Sequence, residues 1–266
     1  MTLILFLISV NSCYFLKLSP GVMSQGLGGA SIMNDEGLSA FHNPAYIQNT
    51  KFNFTVSRWL YSTNLFSLGA SFNENCIGLS YLNYGSIQGY NEYGLATNKF
   101  NPFNICLAIG RRLGPLGVSI KVFSEKIDSY ALYGICGGTS MYLDFGKIAI
   151  GAKVDNLGKE FGQDSEIPFI IGMGLKITLP KNFDILIESK MPDLEINSGL
   201  LYSYQNINLL FGIKYLKAEA SNPDISFSDL NFSGGIIIQV ENYNIGYSLM
   251  YTQFSMAHQF SIIFIP

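Results

Sequence analysis

Phe103-Asn104-Ile105-Cys106-Leu107-Ala108-Ile109-Gly110, and five residues further on Leu116-Gly117-Val118-Ser119-Ile120-Lys121-Val122, set a bulky apolar side chain at every second position. A period of two is that of an extended strand with two unlike faces. The same alternation runs through Ile148–Asp155, Phe169–Thr178 and Tyr243–Thr252; over 131–145 the two faces do not separate. The charges decide which face meets which medium. Lys121, Lys153, Asp155, Lys176, Glu188, Lys190 and Lys214 all fall on the phase of small and polar residues. A Lys or Arg on a lipid-facing strand position at the bilayer midplane costs about 2–4 kcal/mol. The pattern therefore predicts bulky side chains turned out to hydrocarbon and small or ionic ones turned into a crowded interior.

Composition points the same way. Of 266 residues 13% are charged, about half the share of an ordinary soluble domain, while 48% are hydrophobic and 14% aromatic. The longest unbroken apolar run near the start, Leu3–Ile8, is far shorter than the roughly 20 residues of a spanning helix. A closed β-barrel is the other structure that satisfies its backbone in lipid. The formal charge of −3 offers no basic surface for nucleic acid.

About fourteen strands are expected, over 52–58, 64–72, 76–84, 103–111, 116–124, 131–144, 147–155, 168–179, 183–190, 194–204, 207–216, 229–240, 243–251 and 258–265. Connections alternate in length. Short ones at 73–75, 113–115, 145–146, 180–182, 205–206 and 241–242 separate longer ones at 85–102, 125–130, 156–167 and 217–228. Tight turns on one rim and long loops on the other are the habit of outer-membrane barrels. The fold class read from the chain is all-β: a closed antiparallel transmembrane barrel of about fourteen strands, carrying an N-terminal plug.

Three spans follow: 1–12 as a signal peptide, 13–50 as the plug, and 51–266 as the barrel. Leu3–Val10 supplies the apolar core of the signal. Val10-Asn11-Ser12-Cys13 loosely resembles a lipoprotein processing site, whereas Cys76, Cys106 and Cys136 read as small wall residues without metal-site or redox spacing. Residues 18–50 follow neither period. Gly26, Gly28 and Gly29 suit close backbone approach, Asp35 suits the cap of a turn at Leu38–Phe41, and Asn43-Pro44 ends that turn.

Gly26-Leu27-Gly28-Gly29-Ala30, Asp35 and Asn43-Pro44-Ala45 resemble the opening signature of the PorV/PorQ proteins, within the wider FadL-like class of barrels. Lys121, Lys126-Ile127-Asp128, Val154-Asp155-Asn156-Leu157-Gly158 and His258-x-Phe260-Ser261 extend the likeness; Met23, His42 and Tyr46 depart from it. The resemblance implies a fourteen-strand barrel in the bacterial outer membrane with Gly26–Ala30 and Asn43–Ala45 forming an internal hatch. It further implies either support of secretion or surface display of exported proteins, in the manner of type IX secretion, or transport of hydrophobic small molecules. Partners on these two readings are secretion-machinery proteins or exported cargo, or a hydrophobic solute, besides outer-membrane lipid.

Chemistry is scarce. The two histidines, His42 and His258, lie far apart in sequence, and Asp35-Glu36 read as a capping pair or a solvated face rather than an acid–base couple. The expectation is a monomeric barrel without enzymatic activity, cofactor or metal, in which His42, Tyr46, Lys121, Lys153 and Asp155 are the candidates for lining a solute path.

Overall fold

The computed structural model describes residues 13–59, 62–128, 130–162, 167–216, 229–252 and 256–266. The spans expected as signal peptide (1–12) and as one long loop (217–228) lie outside the described residues. Sixteen strands follow in chain order: β1 (Lys51–Arg58), β2 (Asn64–Phe72), β3 (Asn75–Asn83), β4 (Ile87–Tyr90), β5 (Ala96–Phe100), β6 (Phe103–Leu113), β7 (Leu116–Ile127), β8 (Tyr130–Asp144), β9 (Ile148–Phe161), β10 (Ile170–Leu179), β11 (Phe183–Met191), β12 (Glu195–Tyr204), β13 (Ile207–Leu216), β14 (Leu230–Val240), β15 (Tyr243–Tyr251) and β16 (Met256–Phe264). Fourteen of them close into one antiparallel barrel, and β4 with β5 forms a separate two-stranded sheet. The seam is made by β1 on β16, from Phe52 opposite Phe264 to Arg58 opposite His258. Closure leaves no open sheet edge in the wall, which hydrocarbon would not tolerate.

The two phases fall as the charges require. Phe52, Phe54, Leu68, Ile109, Ile120 and Met173 are exposed on the outside, while Asn53, Ser67, Ser119, Lys121, Lys153, Glu188 and Asn197 are buried on the inside. The strands expected from periodicity match those observed to within a few residues, with two differences. The 85–102 connection contains the β4–β5 hairpin, whose residues are nearly all exposed and so carry no inside–outside alternation. In addition β9 runs on to Phe161, past the loop expected from 156. A register shift between Gly137 and Thr139 on β8 faces Asn156, whose φ of 63° turns the chain so that Asp155 and Asn156 are both buried on the inner face. Such a bulge interrupts the period of two, and periodicity alone reads the interruption as a strand end.

Residues 13–50 lie inside the barrel. They comprise a short turn at Tyr14–Lys17, a helix α1 (Val22–Gly26) and a turn at Pro44–Tyr46. What holds them flush to the wall is a set of inward-facing wall glycines. A Cβ on Gly212 would stand 2.0 Å from the Gly28 nitrogen, one on Gly69 2.2 Å from the Gly37 oxygen, and one on Gly117 2.3 Å from the Ala45 nitrogen. Phe41 lies on Gly78, Pro44 on Gly110, Ile32 on Gly172 and Leu27 on Gly199 in the same way. Backbone thus meets backbone at β2, β7 and β13, and side chains of the segment cover the wall glycines of β3, β6, β10 and β12. The turn Asp35 was expected to cap is a single one: Phe41 and His42 donate to the Leu38 oxygen, and the Asp35 carboxylate accepts from Gly37 and Ser39 instead. Asn43 caps the next turn by accepting from the Ala45 nitrogen at 3.0 Å.

Gly212→Val should displace the internal segment and destabilise the barrel by more than about 2 kcal/mol through overpacking. Gly234→Val is the control, since the nearest atom to a Cβ there is 3.5 Å away. Heat-modifiability on a gel reads both; equal melting of the two variants refutes the seating.

Candidate functional site

Charge inside the barrel is organised as ion pairs that grip the internal segment. Lys121 on β7 donates to both Asp155 oxygens (2.8 and 2.7 Å) and to Asn156 Oδ1 at 2.9 Å. This triple contact exists because the β9 bulge turns two consecutive side chains inward. Asn156 then donates to the Leu16 and Pro168 carbonyls, tying the segment to the wall. Further along the same arc of wall, two strands from Asp155, Glu188 on β11 accepts from the Ser31 and Ile32 nitrogens, both at 2.7 Å. Lys190 bridges Glu188 (2.9 Å) and Glu195 (3.0 Å), and Lys214 holds Glu195 at 2.9 Å. A buried charge is tolerable only when paired and hydrogen-bonded, and these are.

Of the residues expected to line a solute path, Lys121, Lys153 and Asp155 belong to this buried network, with Lys153 3.7 Å from an Asp155 oxygen. His42 lies close by, 1% exposed, with no hydrogen-bond partner for either ring nitrogen. Burial and the Lys153 and Lys190 ammoniums push its pKa down to about 3, so the ring is neutral. An enclosed cavity lined by His42, Lys153, Ser140 and Thr139 measures about 10 Å³, one water's worth. Tyr46 stacks on Tyr142 with ring centroids 4.5 Å apart. His42, Lys121, Lys153 and Asp155 are thus brought into one region, while Tyr46 packs toward the tight-turn rim.

Asp35 and Glu36 are not a solvated face. Asp35 pairs with Lys51 at 3.0 Å, and Glu36 accepts from the Met23 and Ser24 nitrogens, capping α1 from ten residues beyond its end. No ion pair reaches Glu36 among the described residues, and burial pushes its carboxyl up to about 7. Cys13 is fully buried, its backbone nitrogen donating to Glu125 Oε2 at 2.9 Å, and burial holds its thiol up to about 12. The sequence hid this clamp: the inward phase of Glu188 and Lys190 was legible but not their partners, Glu195 was not singled out, and Asn156 was read as the start of a loop.

Apolar surface gathers elsewhere. Phe15, Leu16, Leu65, Leu82 and Phe123 form an apolar cluster beneath the rim of long loops. Below it a cavity of about 20 Å³ is lined by Phe15, Leu16, Leu18 and Phe41. Phe41 also covers Gly78 from inside, and it stays half-buried although Ala40 and His42 beside it are buried. Directly across the wall, on the outer face of β1, β2, β3, β6 and β16, an apolar groove of about 660 Å³ is lined by Phe52, Phe54, Leu68, Gly69, Ala70, Gly78 and Leu107 among others. At Gly69 and Gly78 no side chain stands between groove and internal segment.

The Glu36 carboxyl titrates higher in the folded barrel than the ordinary 4.5, so its contribution is most favourable below about pH 4.5 and is lost as pH rises through about 7. Wild-type protein should therefore melt at a higher temperature at pH 5 than at pH 8, by a margin that Glu36→Gln narrows. An unchanged margin in the variant removes Glu36 as the cause.

No family model matches this sequence, and no curated protein does. Solved structures do. The chain is similar to the Pseudomonas putida toluene transporter TodX (11% identity, TM-score 0.61, 92% of this chain and 96% of that one). It is similar also to the CymD monoaromatic hydrocarbon channel (14% identity, TM-score 0.62, 92% and 97%) and to a TodX deltaS2S3 mutant (11%, 0.60, 92% and 97%). At such identities the likeness establishes the fold alone: a closed barrel like that of these channels, here of fourteen strands.

Proposed function

We propose that this chain is a non-enzymatic, monomeric channel of the bacterial outer membrane that passes hydrophobic small molecules, releasing them sideways through the wall at Gly69 and Gly78. One observation carries the reading: an apolar groove on the lipid face and an apolar cluster at the mouth are separated by little more than Phe41 and two glycine backbones. The axial route is filled by the internal segment, seated on glycines and held by ion pairs, so an apolar solute has a shorter way into the bilayer than down the barrel. Gly26–Ala30 and Asn43–Ala45 serve in this reading as the fixed hatch. Similar folds named as hydrocarbon channels support it. Support of type IX-like secretion or surface display, with machinery proteins or exported cargo as partners, rests on motif resemblance alone; no structural observation favours it.

Cells expressing the protein should take up labelled toluene several-fold faster than cells without it. Phe41→Ala should raise the rate and Ala70→Trp, which fills the outer groove, should lower it, with sucrose entry unaffected throughout. Toluene uptake equal with and without the protein overturns the proposal.

A further inference from the structure

The outward phase of the wall carries almost no charge, which makes its exceptions informative. At the rim of tight turns Arg111 is outward-facing and has a protein partner, Glu74, at 3.9 Å. At the rim of long loops Arg58 is different. It ends β1 on the outer face, exposed, in phase with Phe52 and Phe54, and no ion pair reaches it among the described residues. Its cross-strand neighbour over the closing seam is His258, likewise exposed on the outer face in phase with Phe260 and Ile262. Directly opposed residues of an antiparallel pair bring their Cβ atoms to about 5 Å. The Tyr247 hydroxyl, from β15, reaches His258 Nδ1 at 2.7 Å. With that hydroxyl donating to Nδ1, the ring presents Nε2–H as a second donor beside the guanidinium.

Two free donors, the Arg58 guanidinium and the His258 Nε2–H, therefore share one outer patch, the Tyr247 hydroxyl fixing the imidazole, and no ion pair answers them among the described residues. The connections flanking the patch read Trp59-Leu60-Tyr61-Ser62-Thr63 and Thr252-Gln253-Phe254-Ser255, without one Asp or Glu. Height places the patch at the membrane surface. Asn64, opposite Arg58 on β2, stands nine residues up the strand from Asn73 in the tight turn. At about 3.4 Å per residue and a tilt near 40° this is roughly 23 Å, close to the ~25 Å height of an apolar barrel band. The aromatic row Phe66–Tyr81–Phe103 lies at the same end. An arginine fork and an imidazole N–H at that level, the ring held by the Tyr247 phenol, match a tetrahedral oxyanion carried by a lipid.

We propose that Arg58, His258 and Tyr247 form a binding site on the outer face of the closing seam for the phosphate headgroup of a lipid in the leaflet at the long-loop rim. The site rests on the barrel spanning a bilayer and is independent of what the barrel transports.

Titration of the folded, detergent-solubilised protein with dioleoyl phosphatidate, followed by native mass spectrometry, tests it against dioleoylglycerol, which lacks only the phosphate. One phosphatidate should bind, and the Arg58→Gln, His258→Gln double variant should bind it roughly tenfold or more weakly, the scale expected on losing charge-assisted hydrogen bonds. Arg58→Lys should retain part of the affinity, and Arg111→Gln all of it. A folded band on an unheated gel verifies each variant before titration. Equal binding of dioleoylglycerol, an equal loss in Arg111→Gln, or displacement of the lipid by inorganic phosphate at equal concentration each overturns the proposal.

Discussion

A strand in hydrocarbon has no water to satisfy its amides, so every backbone group of the wall must find a neighbouring strand. The pairing of β1 with β16 completes that condition, and the rest of the molecule follows from it. Once the sheet is closed its faces are no longer equivalent: one meets acyl chains and the other an enclosed volume. Bulky Ile, Leu and Phe then belong outside, the reverse of a soluble sandwich. The ionic residues are confined to a lumen where each must meet an opposite charge.

That enclosed volume is what the N-terminal segment fills. Glycines on the wall let its backbone come within contact distance, and the Lys121–Asp155–Asn156 and Glu188–Lys190–Glu195–Lys214 groups hold it along one arc of strands from β7 to β13. Glu188 spends its carboxylate on the segment's own amides, so the wall's charge does for the segment what a neighbouring strand does in a sheet. A stopper seated in this manner is part of the barrel's core rather than a loose insert. Closing the axis also transfers functional weight to the wall, where the glycines that admit the segment leave the partition thinnest. The same two residues, Gly69 and Gly78, thereby serve packing on one side and the outer groove on the other.

Much of this was legible beforehand. Strict alternation in Phe103–Gly110 or Tyr243–Tyr251, together with lysines restricted to one phase, specifies strands, their inner and outer faces, and the medium outside, because these depend on local period and on transfer energies that belong to each side chain. The exceptions are instructive. The β9 bulge broke the period and was read as a strand end, although it is what aims Asp155 and Asn156 together at Lys121. The β4–β5 hairpin escaped because a sheet exposed on both sides has no amphipathic pattern to read.

The sequence alone determined that the chain is a lipid-facing barrel of about fourteen strands with a glycine-rich stretch ahead of it, since periodicity, charge phase and loop length are properties of neighbours along the chain. The tertiary structure alone decided which carboxylate meets which lysine, which wall glycine receives which residue, and where the partition between lumen and bilayer is thin. Those contacts join residues as far as 232 positions apart, as Gln25 and Ala257 are joined, and only closure of the sheet brings them within reach.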